Sequence, residues 1–240
     1  MSGQHALRSQ LLSQSRLSPY MSEAGTNQDR AWDLYLWATQ LTGSLHAQIS
    51  FVELAFRNAL DRTLGDWNVA QGGDREWTLE GNAIDPLYST LRGDLIEARK
   101  RATKESVARA AGHPRRGVAA THNDVIAQLM FGSWVKVITP MAPQDPPAHQ
   151  QALWAGGVHA AFPGADATDA SRVEMGKRLN QLRVLRNRVA HHDSILKVNV
   201  THRLNEMLGV AHKLDPAFPA LIMGGSQVRR INKSDPRKTW

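Results

Sequence analysis

Between Lys177 and Arg188 five basic side chains (Lys177, Arg178, Arg183, Arg186 and Arg188) stand with no acid among them, and His191 and His192 follow at once. Guanidinium forks hold phosphate oxygens, and an imidazole, with a reference pKa of about 6.5, moves protons near neutral pH. This combination can bind a phosphodiester and break it. Asn187 and His191 are four residues apart and share a helix face. Arg186 and His191 are five apart, which is about 140° around an ideal helix axis. Only the reach of Arg186, or a loosened last turn, brings both onto one phosphate. Arg188 and His192 also share a face, so spacing alone leaves two competing pairs open. A further Arg-to-His match, Arg116 to His122, falls in a segment that reads as loop. A helix with a merely solvated basic side would show the same spacing.

The elements that must carry these groups read as helices. No proline lies between Asp29 and Trp67, and Leu34, Leu41, Leu45, Ile49, Val52, Phe56, Leu60 and Leu64 step mostly by three or four. This predicts one long helix capped at Asp29, or two with a break near Gly43. Asp85-Pro86 predicts a helix start, followed by the stripe Leu87, Leu91, Leu95, Ala98 and Ala102. Thr121–Asp124 caps a helix predicted to run through Val125, Leu129, Trp134 and Ile138 to Pro140. A short helix through Trp154 follows the proline-rich loop 140–147. Ser171-x-x-Glu174 fits a capping box opening a helix through Leu179, Leu182, Leu185 and Val189 to about Ile195, and another stretch spans about 198–214. Phe131, Trp134, Trp32 and Trp37 read as core. No strand pattern of period two appears, so the expected fold is all-α. It comprises a flexible arm (1–28), a helical domain (29–222) and a basic, disordered tail (223–240).

Composition excludes several classes. Ten histidines are present, but there is no HExxH, and cysteine is absent, so no metal site and no disulfide is expected. GxGxxG, GxxxxGK[ST] and GxSxG are all missing, and no cofactor is expected. Of 29 basic residues 21 are arginine, against 22 acids, giving +7, a balance suited to a polyanion. The stretch 99–116 holds seven basic residues against Glu105 and reads as a solvated face or an RNA-backbone contact. No apolar run reaches membrane-spanning length, the N-terminus does not read as a secretory signal, and a cytoplasmic address is expected.

RNRVAHHD (186–193) resembles the Arg-Asn-x-x-Ala-His-His signature of the Abi-like abortive-infection family, within the HEPN superfamily. FVELAFRNALDRTL (51–64) resembles its early Glu-x-x-x-Arg-Asn helix, and HNDVIAQLMFGSWVKVI (122–138) its Phe-Gly-x-Trp segment. The resemblance implies an all-helical bundle with long antiparallel helices and a metal-independent endoribonuclease. Its site is composite, formed where two HEPN domains meet. One such copy is recognisable here, so a homodimer is implied. Arg186, Asn187 and His191 match the motif that carries catalysis. Glu53, Arg57 and Asn58 match the early helix and are supporting residues, with His192 a second candidate histidine. Lys177, Arg183 and Arg188 are candidates for RNA binding. The implied role is a toxin or phage-defence effector, held in check by an antitoxin protein or an inhibitory RNA.

Two other readings remain open at this point. A non-catalytic RNA-binding or regulatory HEPN-like protein would share the basic surface without depending on His191. A helical DNA-binding regulator would share the charge, although no clear helix-turn-helix is visible. For Glu53 and Arg57 the bland reading is an i,i+4 surface pair; the alternative has Glu53 brace Arg186 or Arg57 line an RNA groove.

Overall fold

The computed structural model describes residues 2–240, with side chains from Ala6 onward, and its secondary structure is entirely helical. Two short helices open the chain, α1 (Ser2–Leu12) and α2 (Gln14–Glu23). The segment expected as a flexible arm is therefore helical. Its few apolar side chains suffice to dock it: Leu12, Tyr20 and Ala24 are buried, and the Tyr20 ring meets Tyr35 edge-on at 5.2 Å. Arg8 adds an ion pair to Asp29 at 2.7 Å and lies over the Trp32 ring.

α3 (Gln28–Ala70) is one unbroken helix of 43 residues, about 65 Å long. Its cap is Asn27, not Asp29: the Asn27 side chain accepts from the Asp29 and Arg30 N–H groups at 3.1 Å. Asp29 sits in the first turn, where an acid suits the helix dipole. Gly43 causes no break, because the stripe from Leu34 to Leu64 is buried on both sides of it. The helix packs on α2 and on most of the later elements of the chain.

α4 (Leu87–Ala108) buries the predicted stripe, and Asp85 accepts from the Ser89 N–H and hydroxyl at 2.9 and 2.6 Å. α5 (His122–Gln128) carries the Thr121–Asp124 capping box. The expected continuous helix through Ile138 is instead broken: Leu129 and Met130 are extended, and α6 (Phe131–Lys136) starts anew. The break lets both Val125 and the Phe131–Trp134–Val135 group face the core. α7 (Pro147–Ala155) and a 3₁₀ turn (Val158–Ala161) lead to α8 (Asp169–Ala190). Thr168, not Ser171, caps α8, accepting from the Ser171 N–H, while Glu174 pairs with Arg178 at 2.8 Å.

α9 (Val200–Leu214) and α10 (Phe218–Met223) follow, and the tail forms α11 (Val228–Lys233) and a 3₁₀ turn (Pro236–Thr239). The tail expected to be disordered is thus folded onto α3. Val228 is fully buried, the Trp37 indole donates to the Ile231 carbonyl at 2.7 Å, and Arg237 pairs with Asp235 and Glu23. Composition hid this because the anchor lies on α3 rather than in the tail. Among the described residues no helix is long and apolar enough to cross a membrane.

Arginines of the basic stretch 99–116 are used inside the fold. Arg99 donates to the Thr78 and Leu79 carbonyls, Arg101 to the Gln128 carbonyl, and Arg109 and Arg115 converge on Asp124. That carboxylate also accepts from the Thr121 N–H and hydroxyl, and the Thr121 backbone bond, with the two guanidinium groups, holds its pKa far below the usual carboxylate range. A depressed folded-state pKa contributes stability above the unfolded-state value of about 3.9 that is lost as pH falls toward the folded-state value. Asp124→Asn is therefore expected to flatten the fall in Tm below about pH 4, and an unchanged acid limb in calorimetry would refute this assignment.

Candidate active site

α8 buries Leu179, Leu182, Leu185 and Val189 against the core, which leaves its polar residues on two flanks. Arg183, Arg186 and Asn187 line one cleft of about 340 Å³, together with Lys136, Asp94 and Asp145. Both acids are already engaged: Asp94 accepts from the Ser133 hydroxyl at 2.6 Å, and Asp145 pairs with Lys136 at 3.3 Å. Arg188 lies on the other flank, in a separate cleft with Lys197 and Arg203, and donates to the Ser194 carbonyl at 2.8 Å. Lys177 is exposed further up the helix and lines neither cleft. The predicted cationic group is therefore divided by the core stripe; only Arg183 shares a cleft with Arg186.

Of the two readings left open for Glu53 and Arg57, the i,i+4 surface pair does not form. Glu53, half-way along α3 and partly buried, accepts from the Arg186 Nε at 3.4 Å, across 133 residues of sequence. Arg57 turns away, donating to the Ile126 carbonyl at 3.0 Å with its guanidinium 5.9 Å from the Trp134 ring centre. It holds the α5–α6 break and does not line the Arg186 cleft. Asn58 is exposed, and its side chain makes no hydrogen bond among the described residues.

The two histidines part at the helix end. His191 is the last, half-helical residue, its N–H donating to the Asn187 carbonyl at 2.9 Å. Its ring is exposed and has no hydrogen-bond or ionic partner among the described residues. It does not line the Arg186 cleft. His192 adopts the left-handed conformation, φ 55°, and lines a different cleft toward α2 and α3. The competing pair of Arg188 and His192 is thereby dissolved: its two members face different clefts.

A buried network escaped the sequence reading. His122 is the first residue of α5, not a loop residue, and its ring is buried. Its Nδ1 lies 2.8 Å from the Thr78 hydroxyl and its Nε2 3.0 Å from Asp61, which also accepts from the Trp77 indole at 3.0 Å. Thr78 is sealed from solvent, so this arrangement anchors the loop before α4 and offers no nucleophile. Its members lie 44 and 61 residues apart, and no local spacing announces them.

Among the described residues no three His, Asp or Glu side chains converge to hold a metal ion. Comparison with protein-family models finds no match, and neither does comparison with curated proteins or with solved structures. What defines the class of molecule is therefore an all-helical chain that presents a carboxylate-braced arginine and an unpartnered imidazole near the exposed end of one helix.

The brace can be tested separately from the imidazole. Glu53→Gln keeps the side-chain shape but removes the charge opposite Arg186. If the site cleaves RNA, as proposed below, that activity is expected to fall several-fold, with little change in Tm, since a partly exposed pair of this kind is worth only about 0–1 kcal/mol. Full activity in Glu53→Gln would leave the Glu53–Arg186 contact a purely structural one.

Proposed function

We propose that this protein is a metal-independent endoribonuclease of the Abi-like/HEPN type, acting as a toxin or phage-defence effector. The observation that carries the reading is the Arg186 guanidinium of α8, held by Glu53 across 133 residues, with the exposed, unpartnered ring of His191 at the end of the same helix. RNA supplies its own nucleophile, the 2′-hydroxyl. His191 takes the hydroxyl proton as the 2′-oxygen bonds to phosphorus, and the phosphorus–5′-oxygen bond breaks. Arg186 stabilises the charge that grows on the non-bridging oxygens. Asn187, whose side chain is unpartnered in the Arg186 cleft, orients the phosphate. The leaving 5′-oxygen receives a proton from a second imidazole, which a partner protomer would bring to a shared site. The products are a 2′,3′-cyclic phosphate and a 5′-hydroxyl. An activity of this kind needs restraint in a healthy cell, by an antitoxin protein or an inhibitory RNA.

The direct test incubates the purified full chain with RNA and with DNA of the same sequence in excess chelator. Cleavage of RNA alone, leaving a cyclic phosphate, supports the proposal. A magnesium requirement, or equal cutting of DNA, refutes the mechanism. One observation favours a second reading, a non-catalytic RNA-binding protein: His191 does not line the cleft that holds Arg186. On that reading RNA binds with no strand scission, and His191→Ala changes nothing.

A further inference from the structure

The end of α8 carries a conformational cost that another residue would avoid. Asp193 N–H donates to the Arg188 carbonyl at 2.9 Å and His192 N–H to the Val189 carbonyl at 3.2 Å, the paired bonds of a helix that ends in a left-handed residue. Glycine usually fills that position because it lacks a Cβ; here it is His192. This residue lines a cleft of about 380 Å³ between α2, α3 and the end of α8. From α3 the cleft receives His46, Tyr35 and Thr42, from α2 Tyr20, and from the turn Asp193. Neither imidazole has a hydrogen-bond partner among the described residues. Arg16 donates to the His192 carbonyl at 3.3 Å and does not itself line the cleft. Tyr35 is fixed in place, edge-on to Tyr20 at 5.2 Å and stacked on Trp32 at 5.9 Å.

Each group selects part of a ligand. Two free imidazoles favour a phosphate. The fixed aromatic wall favours a flat base. Asp193, the one acid among the lining residues, would repel a bare phosphate but accepts from a ribose hydroxyl. The volume lies at the lower end of the roughly 300–1,000 Å³ typical of small-molecule sites, which suits one nucleotide and not a folded strand.

We infer that this cleft is a ribonucleotide subsite, in which His46 and His192 hold the phosphate, Asp193 the ribose and Tyr35 the base. It adjoins the end of α8 that carries His191. If the ribonuclease reading holds, on which this placement rests, it seats the nucleotide next to the scissile linkage. The shared chemistry admits a free ribonucleotide as well.

The test titrates the full chain with adenosine 3′-monophosphate, its 2′-deoxy analogue and inorganic phosphate, and follows the imidazole proton resonances. His46→Ala and His192→Gly assign them. The ribonucleotide should move both resonances together, and the deoxy form should bind about tenfold more weakly for want of one hydrogen bond. His192→Gly should raise Tm while weakening nucleotide binding, a pairing of effects that a purely structural histidine does not produce. Gly43→Leu is the steric control. Gly43 lines the cleft, and a Cβ added there meets nothing within 4 Å, so the variant should fold and yet exclude the nucleotide. Loss of RNA cleavage in Gly43→Leu assigns the subsite to the RNA strand. Nucleotide binding with no effect on cleavage assigns it to a free ribonucleotide.

The inference is overturned if the nucleotide leaves both resonances unmoved, if phosphate alone moves them equally, or if His192→Gly gains stability with binding intact. Nucleotide silence combined with His191-dependent cleavage rejects the cleft alone. Nucleotide binding combined with cleavage indifferent to His191 rejects the ribonuclease mechanism alone.

Discussion

On the proposed ribonuclease mechanism, replacing His191 by Ala is expected to lower the rate of RNA cleavage by about 10²–10⁴-fold, the range of a lost general acid or base. Tm should not move, because the ring is exposed and bonds to nothing among the described residues. This separation of activity from stability makes the experiment decisive. Arg186→Ala should cost about 10²–10³-fold, as for loss of one group stabilising transition-state charge. Arg186→Lys should recover little of it, since the planar fork that both Glu53 and a phosphate can engage is gone. Retention of RNA binding by both variants, measured by salt-dependent titration, would show that chemistry rather than affinity was removed. If His191→Ala cleaves at the parental rate while Arg186→Ala does not, the arginine belongs to a binding groove and the imidazole to the solvent.

The largest stability effect is expected at Phe56. Its ring is fully buried and meets Phe131 at 5.9 Å, nearly perpendicular, and Phe162 at 5.9 Å. Truncation to Ala leaves a cavity against the Phe131 and Phe162 rings, with an expected cost of about 3–5 kcal/mol. For a chain of this size that corresponds to a fall in Tm of about 6–20 °C. Phe51→Ala, one and a half turns earlier and exposed, should change Tm little. Because Glu53 and Arg57 flank Phe56 on the same helix, Phe56→Ala is also expected to loosen the Glu53–Arg186 contact and slow cleavage at temperatures where the fold persists. Equal effects at positions 51 and 56 would contradict the packing described.

How much was legible beforehand depends on the range of the forces involved. The buried stripe of α3, the apolar face of α4, the Thr121–Asp124 cap and the core roles of Phe131 and Trp134 all depend on residues one to four places apart. Helical period and capping chemistry operate over that distance, so the sequence determined them by itself. Cap positions drifted where neighbours offered equal chemistry, as with Asn27 against Asp29 and Thr168 against Ser171.

The partners of the candidate groups obey no such rule. Glu53 finds Arg186, Trp37 finds Ile231, and His122 finds Asp61 and Thr78, at separations from 44 to 194 residues. The same is true of the division of Arg183 and Arg188 between two clefts, and of His191 and His192 between solvent and a third. Residue types along the chain show that a guanidinium and an imidazole are present. Only the packing of α8 against α3 decides which carboxylate braces the one, and only the left-handed turn after Ala190 decides where the two rings point. Contacts of that kind are made by the burial of apolar faces between distant segments, a global balance that no local pattern records.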